Sequence, residues 1–521
     1  MPPAASLEAA PPRPATHRPL VLAALVMAAF MSSIEATIVA TAMPSIAATL
    51  GGFSLYAWVF SSYLLMQATM TPVFGKLADL YGRKPTLLAG LAIFLVGSVL
   101  CGFAPSMGAL VAFRLIQGIG AGAVQPLTVI IIGDLYPIEK RARVQGLMST
   151  VWGVSSIAGP LAGGLLLASA GWPWVFWINV PFGIAAAFLA WRYLHEDIEA
   201  KQPSVDYVGA GLLFAGVAAL TLGLTQGGVW GAGPASGLIA LAAAGLVLFV
   251  RYERRVREPL MHMELWANPL IRLANTATFL TGCVMIGLIT FLPTYVQGVL
   301  GASALAAGFS LTGMTLGWPI SAVIAGRLLL TLGARGTSRI GGVTLLAGTL
   351  VVALGARHGA LYAGIGSFLV GTGLGFVGTT FIVSIQSSVG WAQRGVATAS
   401  NLLMRLLGST VGAAVFGGLL NVILQRHLDA RGLGDTVPLD RLRDLLGEGA
   451  APGAALTPSA LGALHDGLAV GLQAVFWGIV ALAAIALVVC WRIPDLDRGE
   501  PPVASQERTD PPAILSTGTG A

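Results

Sequence analysis

The chain has 521 residues, of which 55% are hydrophobic and only 10% charged, with a net charge of +6 and three cysteines. Soluble domains carry about 25% charged residues, so a soluble protein is excluded and an integral membrane protein is indicated. The length counts membrane spans rather than soluble domains.

In chain order, residues 1–18 are rich in Pro and Ala and are expected to form a disordered cytoplasmic N-terminus. The first apolar run, Leu20 to Pro44, is too long for a cleaved signal peptide and is read as a retained span. It contains one carboxylate, Glu35, and a buried carboxylate costs several kcal/mol unless it is paired, solvated or neutralised. The second span, 54–74, leads into GKLADLYGRK at 75–84. The third, 85–104, is followed by a fourth, 108–132, which carries Arg114 and glycines at 118, 120 and 122. The fifth, 142–168, contains SSIAGPLAGG, and the sixth is 174–193. Further spans are expected at 207–226, 235–250, 270–296, 302–329, 340–356, 359–385, 395–424 and 468–491, fourteen in all. The runs are apolar all round and too long for barrel strands, so they are helices. Cys101, Cys283 and Cys490 fall in or at the ends of these runs, which indicates no disulfide framework.

With the N-terminus inside, 22 of the 29 Lys and Arg fall in cytoplasmic segments. That bias sets the orientation, with both termini cytoplasmic, and the basic balance therefore reports topology rather than a nucleic-acid partner. Three glycine patterns recur. GKLADLYGRK is echoed by GRLLLTLGAR at 326–335, Gly118, Gly120 and Gly122 by Gly371, Gly373 and Gly375, and Gly159 and Gly164 by Gly412 and Gly417, at offsets of 251, 253 and 253. The chain therefore reads as two related six-span halves, with sites expected at their interface. The two extra spans form an insertion between them. The expected organisation is a six-helix bundle over 19–200, a two-helix insertion over 201–258, and a second six-helix bundle over 259–493 with an extracellular loop at 425–467. That loop includes PLDRLRDLLGEG, read as a short amphipathic surface helix or a gate. A disordered cytoplasmic tail is expected over 494–521.

These motifs resemble the major facilitator superfamily, specifically its fourteen-span branch of drug:proton antiporters. GKLADLYGRKP looks like the loop signature after span two, matched by Gly75, Asp79, Gly82, Arg83 and Lys84. RLIQGIGAG looks like the span-four signature, matched by Arg114, Gln117 and Gly118. SSIAGPLAGG resembles the span-five antiporter signature, matched by Ser155, Gly159, Pro160, Gly163 and Gly164. IEATIVATAMP resembles the span-one signature of the branch, with Glu35 where Asp is usual and Ala40 where Asn is usual. The first change keeps the carboxylate, and the second removes a polar group. The resemblance implies the all-helical fold of two six-helix bundles, here with two extra central helices, and a cytoplasmic latch at 75–84 that stabilises the outward-facing state. A plain topology anchor is the alternative for that loop.

Glu35 is the only acidic residue well inside a span, and Arg114 is the only ionisable group inside span four. If the two meet, Glu35 is placed to carry a proton; the alternatives are a static pair that orders the bundle, or an Arg114 bonded to carbonyls of a neighbouring helix. The positions matching them in the second half are Ile286 and Ser367, so the charged chemistry belongs to the first half. Arg405, early in span thirteen, is within reach of the inner interface, and a structural and a functional role are both open. Ser155, Gly159 and Gly163, four apart, let helix backbones approach, and with Pro160 they suit a tight hinge; ordinary packing explains the glycines as well. Candidate cavity residues are Tyr63, Gln67, Gln117, Gln125, Asn179, Phe291 and Gln386. No GxxxxGK[ST] sequence and no Cys/His metal spacing occurs, so no cofactor is expected and the proton gradient is the expected energy source. The expected function is proton-coupled export of lipophilic or amphipathic small molecules across the cytoplasmic membrane by a monomer. The alternatives are the same machine with one dedicated endogenous cargo (a lipid, peptide or secondary metabolite) and, more remotely, a polytopic membrane enzyme or sensor.

Overall fold

The computed structural model describes residues 16–51, 55–196, 206–230, 232–256, 259–302, 304–432 and 458–494. The expectations of disorder at 1–15 and 495–521, and most of the loop 425–467 including PLDRLRDLLGEG, fall outside these residues.

Every regular element among the described residues is helical, as a chain in lipid requires, since each backbone polar group must be satisfied within its own segment. The first bundle contains α1 (Arg18–Leu50), α2 (Tyr56–Tyr81), α3 (Arg83–Gly102), α4 (Met107–Leu135), α5 (Ile138–Ser169), the short α6 (Trp174–Trp177) and α7 (Asn179–Tyr193). The paired helices α8 (Tyr207–Trp230) and α9 (Ala232–Glu253) follow and pack beside α2. The second bundle contains α10 (Pro269–Gly298), α11 (Ala304–Gly355), α12 (Ala360–Ser388), α13 (Trp391–Asp429) and α14 (Pro458–Trp491). Ser106 caps α4, its hydroxyl accepting from the Ala109 amide at 3.2 Å, and Asn268 caps α10 through the Leu270 amide at 2.9 Å.

At 52 residues α11 is far longer than a bilayer needs. It breaks at Gly333, whose φ of 74° is open only to glycine at low cost, and it folds back. Gly313 in its first half and Gly348 in its second both lie against the stretch of α12 around residues 364–370. Counting its two halves separately and α6–α7 as one, the described residues contain fourteen long helical segments, the number of spans expected, and ten helices, with α11 counted once, are long and apolar enough to cross a membrane. Gly82, the residue that matches Gly333 at offset 251, has a φ of 102° and separates α2 from α3 in the same way.

The repeat extends to individual contacts. A methyl group on Gly118 would meet the Tyr63 carbonyl, one on Gly120 the Phe94 amide, and one on Gly122 the Gln67 carbonyl. In the second half the same groups on Gly371, Gly373 and Gly375 would meet Met314, Leu345 and Trp318, each 251 residues beyond its counterpart. The three glycines wedge α4 between α2 and α3, and α12 between the two halves of α11. The bundles meet along α2 with α13 and along α5 with α11, the pairing that a two-fold axis between the halves demands.

Candidate functional site

Glu35, on α1, and Arg114, on α4, form a buried pair in the first bundle, with 2.5 Å between Oε1 and Nη1 and side chains 0% and 1% exposed. Neither charge is tolerable there alone, and the bundle satisfies both. The second carboxylate oxygen of Glu35 accepts from Asn179 Nδ2 at 2.5 Å. Arg114 also donates to Gln117 Oε1 at 2.7 Å and, through Nε, to the Val59 carbonyl at 3.0 Å. Its guanidinium lies 4.2 Å from the Tyr63 ring centre, a cation–π contact. Ser98 ties the cluster together: its hydroxyl accepts from Asn179 and Gln117 and donates to the Phe176 carbonyl at 2.7 Å.

Four helices and the start of α7 thus supply one polar centre inside an apolar bundle. Both readings of Arg114, as ion-pair partner and as donor to a neighbouring carbonyl, hold at once. Three of the residues expected in the cavity, Tyr63, Gln117 and Asn179, are members of this centre. Gln67 and Gln125 bond each other at 3.3 Å across α2 and α4. Phe291 is packed in the core of the second bundle, edge-on to Phe416 at 6.5 Å. Gln386 lies between the bundles, where its Nε2 donates to the Val129 carbonyl at 3.2 Å. Neither joins the Glu35 centre, since Phe291 belongs to the core of the second bundle and Gln386 to the seam between the bundles.

A second cluster occupies the end that carries the α2–α3 turn. Asp79 pairs with Arg83 at 2.9 Å and accepts the Gly395 and Val396 amides at 3.1 and 2.9 Å, so it binds the second turn of α13 across the interface. Gly75 makes this possible, since a methyl there would collide with Ala399. Arg83 also binds Asp134 at 3.0 Å, donates to the Trp391 carbonyl at 3.1 Å and stacks on the Trp391 ring at 3.9 Å. Asp134 in turn pairs with Arg394 of the second bundle at 2.5 Å. The Arg83 and Lys84 amides at the start of α3 donate to Glu196 at 2.7 and 3.1 Å. Burial pushes the Glu196 carboxyl up from its ordinary value, against the opposing pull of those two amides. Asp134, Glu196, Trp391 and Arg394 were not singled out in the sequence. Their signal was only their position, each at the same end of a span as the GKLADLYGRK turn.

Along α5, Ser155 accepts a hydrogen bond from Ser33 at 2.6 Å, and Thr37 donates to the Ser155 carbonyl at 3.1 Å. A methyl on Gly159 would collide with Thr37, and one on Gly163 would press on Ile38 and Thr41 at 3.2 Å. The spacing of four therefore marks the α1–α5 seam. Gly164 faces open space. Pro160 falls inside α5, and its side chain lies outside the described residues. Among the described residues no group of three His, Cys, Asp or Glu is placed to hold a metal.

The sequence model of the Major Facilitator Superfamily matches residues 25–413. The chain is 36% identical over 411 residues to the multidrug transporter protein MdtP of Bacillus subtilis, covering 78% of this chain and 76% of that one. It is 36% identical over 415 residues to multidrug resistance protein 3 of the same organism, covering 79% and 81%. Among solved structures, the human organic anion transporter MFSD10 superposes with a TM-score of 0.63 over 91% of this chain and 99% of that one; at 16% identity this likeness speaks for the fold alone.

Proposed function

The chain belongs to the major facilitator superfamily, a family of transporters rather than enzymes, and we propose that it is a proton-driven antiporter that exports lipophilic or amphipathic small molecules from the cell. The observation that carries this reading is the Glu35–Arg114 pair with Asn179, a carboxylate sealed in a membrane bundle and held by neutral and cationic donors. Intramembrane ionisable groups of this kind are functional by default. The multidrug relatives support the class of cargo.

In this reading both termini are cytoplasmic, the protein works as a monomer in the cytoplasmic membrane, and the α2–α3 turn is the inner gate. The gate is shut by Asp79 on the α13 amides and by the Asp134–Arg394 bridge, so the conformation faces outward. A proton arriving from outside neutralises Glu35 and releases Arg114 from its partner. Tyr63 and Asp79 share α2, about 24 Å apart, and Arg114 and Asp134 share α4, about 30 Å apart. A shift of either helix at the Glu35 centre reaches the gate along one continuous helix, through Pro72 in α2 and Pro126 in α4. The gate opens inward, the proton leaves, cargo enters and the bundles rock back. The membrane potential contributes about 2.3 kcal/mol per net charge per 100 mV, and no bound cofactor takes part.

The test is accumulation of a fluorescent lipophilic compound by inside-out proteoliposomes under an imposed proton gradient. Accumulation that collapses with a protonophore is expected. Accumulation that ignores the protonophore overturns proton coupling.

A further inference from the structure

Arg405 has no role in the centre or in the gate. It lies on α13 ten residues past Gly395, whose amide is fixed at the gate, so it stands about 15 Å into a hydrocarbon core about 30 Å thick. Counted from the gate, that is near the middle of the bilayer. It shares a helical face with Asn401, Gly412 and Phe416, which pack on α10 and into the second bundle, so it points inward rather than at lipid. A methyl on Gly282 of α10 would strike the Arg405 carbonyl, so the two backbones touch there. The residue is part-exposed, unlike Glu35 and Arg114. Among the described residues no carboxylate pairs with its guanidinium.

The charges near the midplane do not balance. Among the described residues Glu35 and Arg114 cancel, and Arg405 leaves one positive charge over. A cation at this depth is costly unless an anion or water meets it. Polar groups flank it one turn away on either side. Asn401 bonds Asn275 and Thr278, each at 2.9 Å, and the Ser409 hydroxyl donates to the Gly282 carbonyl at 3.3 Å.

We propose that Arg405 is the headgroup site for the cargo, and that the preferred cargo is an organic anion: a carboxylate or sulfonate on a lipophilic body. This rests on the antiporter reading above and narrows its substrate class. Guanidinium offers two parallel donors to such a group. Glu35 is enclosed in the other bundle, so proton and cargo communicate through the helices rather than by competing for one charge. Export of a monoanion against entry of a proton moves two charges per cycle in the direction the membrane potential favours.

The test is equilibrium binding of a fluorescent lipophilic sulfonate, and of a lipophilic cation of similar size, to the purified protein in nanodiscs at physiological salt. Wild type binds the sulfonate more tightly than the cation. Arg405→Gln weakens sulfonate binding by at least about tenfold and leaves cation binding unchanged, while Arg405→Lys restores part of it. Equal sulfonate affinity in wild type and Arg405→Gln, or cation preference in the wild type, overturns the proposal. Thermal melts confirm that the variants fold, and Arg405→Lys carries the test if Arg405→Gln does not. Binding is compared in zwitterionic and in phosphatidylglycerol nanodiscs. Equal affinity is expected, and its loss in phosphatidylglycerol would assign the site to a lipid headgroup instead. Sulfonate binding without gradient-driven transport would refute the antiporter reading and leave the anion site standing.

Discussion

Asp134→Asn gives the sharpest test of the gate. The Asp134 side chain is 4% exposed and bridges Arg83 of its own bundle at 3.0 Å and Arg394 of the other at 2.5 Å. Breaking a buried pair by removing one partner costs about 3–5 kcal/mol. The Arg83 half of that cost is paid whether the gate is open or shut, because α3 and α4 stay in one bundle. Only the Arg394 half enters the equilibrium, and Arg394 is 16% exposed, so solvent screens it. About 2 kcal/mol remains, a factor of about 30. An end closed about 98% of the time then falls to about 60% closed. Spin labels at the exposed positions Lys140 and Arg272, one on each bundle, read this directly as a distance distribution once the three buried cysteines are replaced. Wild type gives one short distance, and Asp134→Asn adds a longer population of similar size. A distribution unchanged by the substitution refutes the bridge as a closing element.

Gly159→Ala drives a methyl into Thr37 and is expected to cost about 1–3 kcal/mol, read as a lower thermal midpoint in detergent, whereas Gly164→Ala enters open space and leaves it unchanged. Gly333→Ala forces a side chain to a φ of 74° and is expected to destabilise by about 1 kcal/mol, measured in the same melts. Glu196 has a raised pKa in the folded protein, so the native state holds its proton more tightly than the unfolded chain. Its contribution to stability is therefore lost as pH rises from the ordinary carboxylate range through the folded value. Glu196→Gln removes that dependence, and the wild-type melting temperature should fall relative to the variant's as pH rises from 5 to 8.

Much of this was legible because membrane helices announce themselves by length and because glycines that seat a crossing must recur in a repeat. The offset of 251 that tied Gly82 to Gly333 in sequence ties Tyr63 to Met314 and Phe94 to Leu345 in contact. Scarcity pointed to Glu35 and Arg114 as candidates, one acid well inside a span and one ionisable group in span four, but that they meet is set by packing. The gate was half legible. The GKLADLYGRK turn was expected to be a latch or a topology anchor, but that Asp79 binds α13 depends on a contact 316 residues away in sequence. Asp134 and Arg394 pair across 260 residues, and nothing local to either names the other. Asn179 looked like a cavity residue because its polarity was visible and its partner was not. Phe291, in the second core, and Gln386, between the bundles, could not be told apart in sequence for a related reason. In helices apolar all round, hydropathy carries no phase, so the side that faces a cavity is set only by packing.

The most direct test of the account is a proton count. Proteoliposomes loaded with a pH-sensitive dye receive a pulse of transported substrate, and the proton flux is compared between wild type and Glu35→Gln. The account predicts a substrate-dependent proton flux opposite to the substrate in wild type and none in Glu35→Gln, with the variant still folded and still binding substrate. Equal proton flux in the two would contradict it, and Glu35 would then be a structural partner of Arg114.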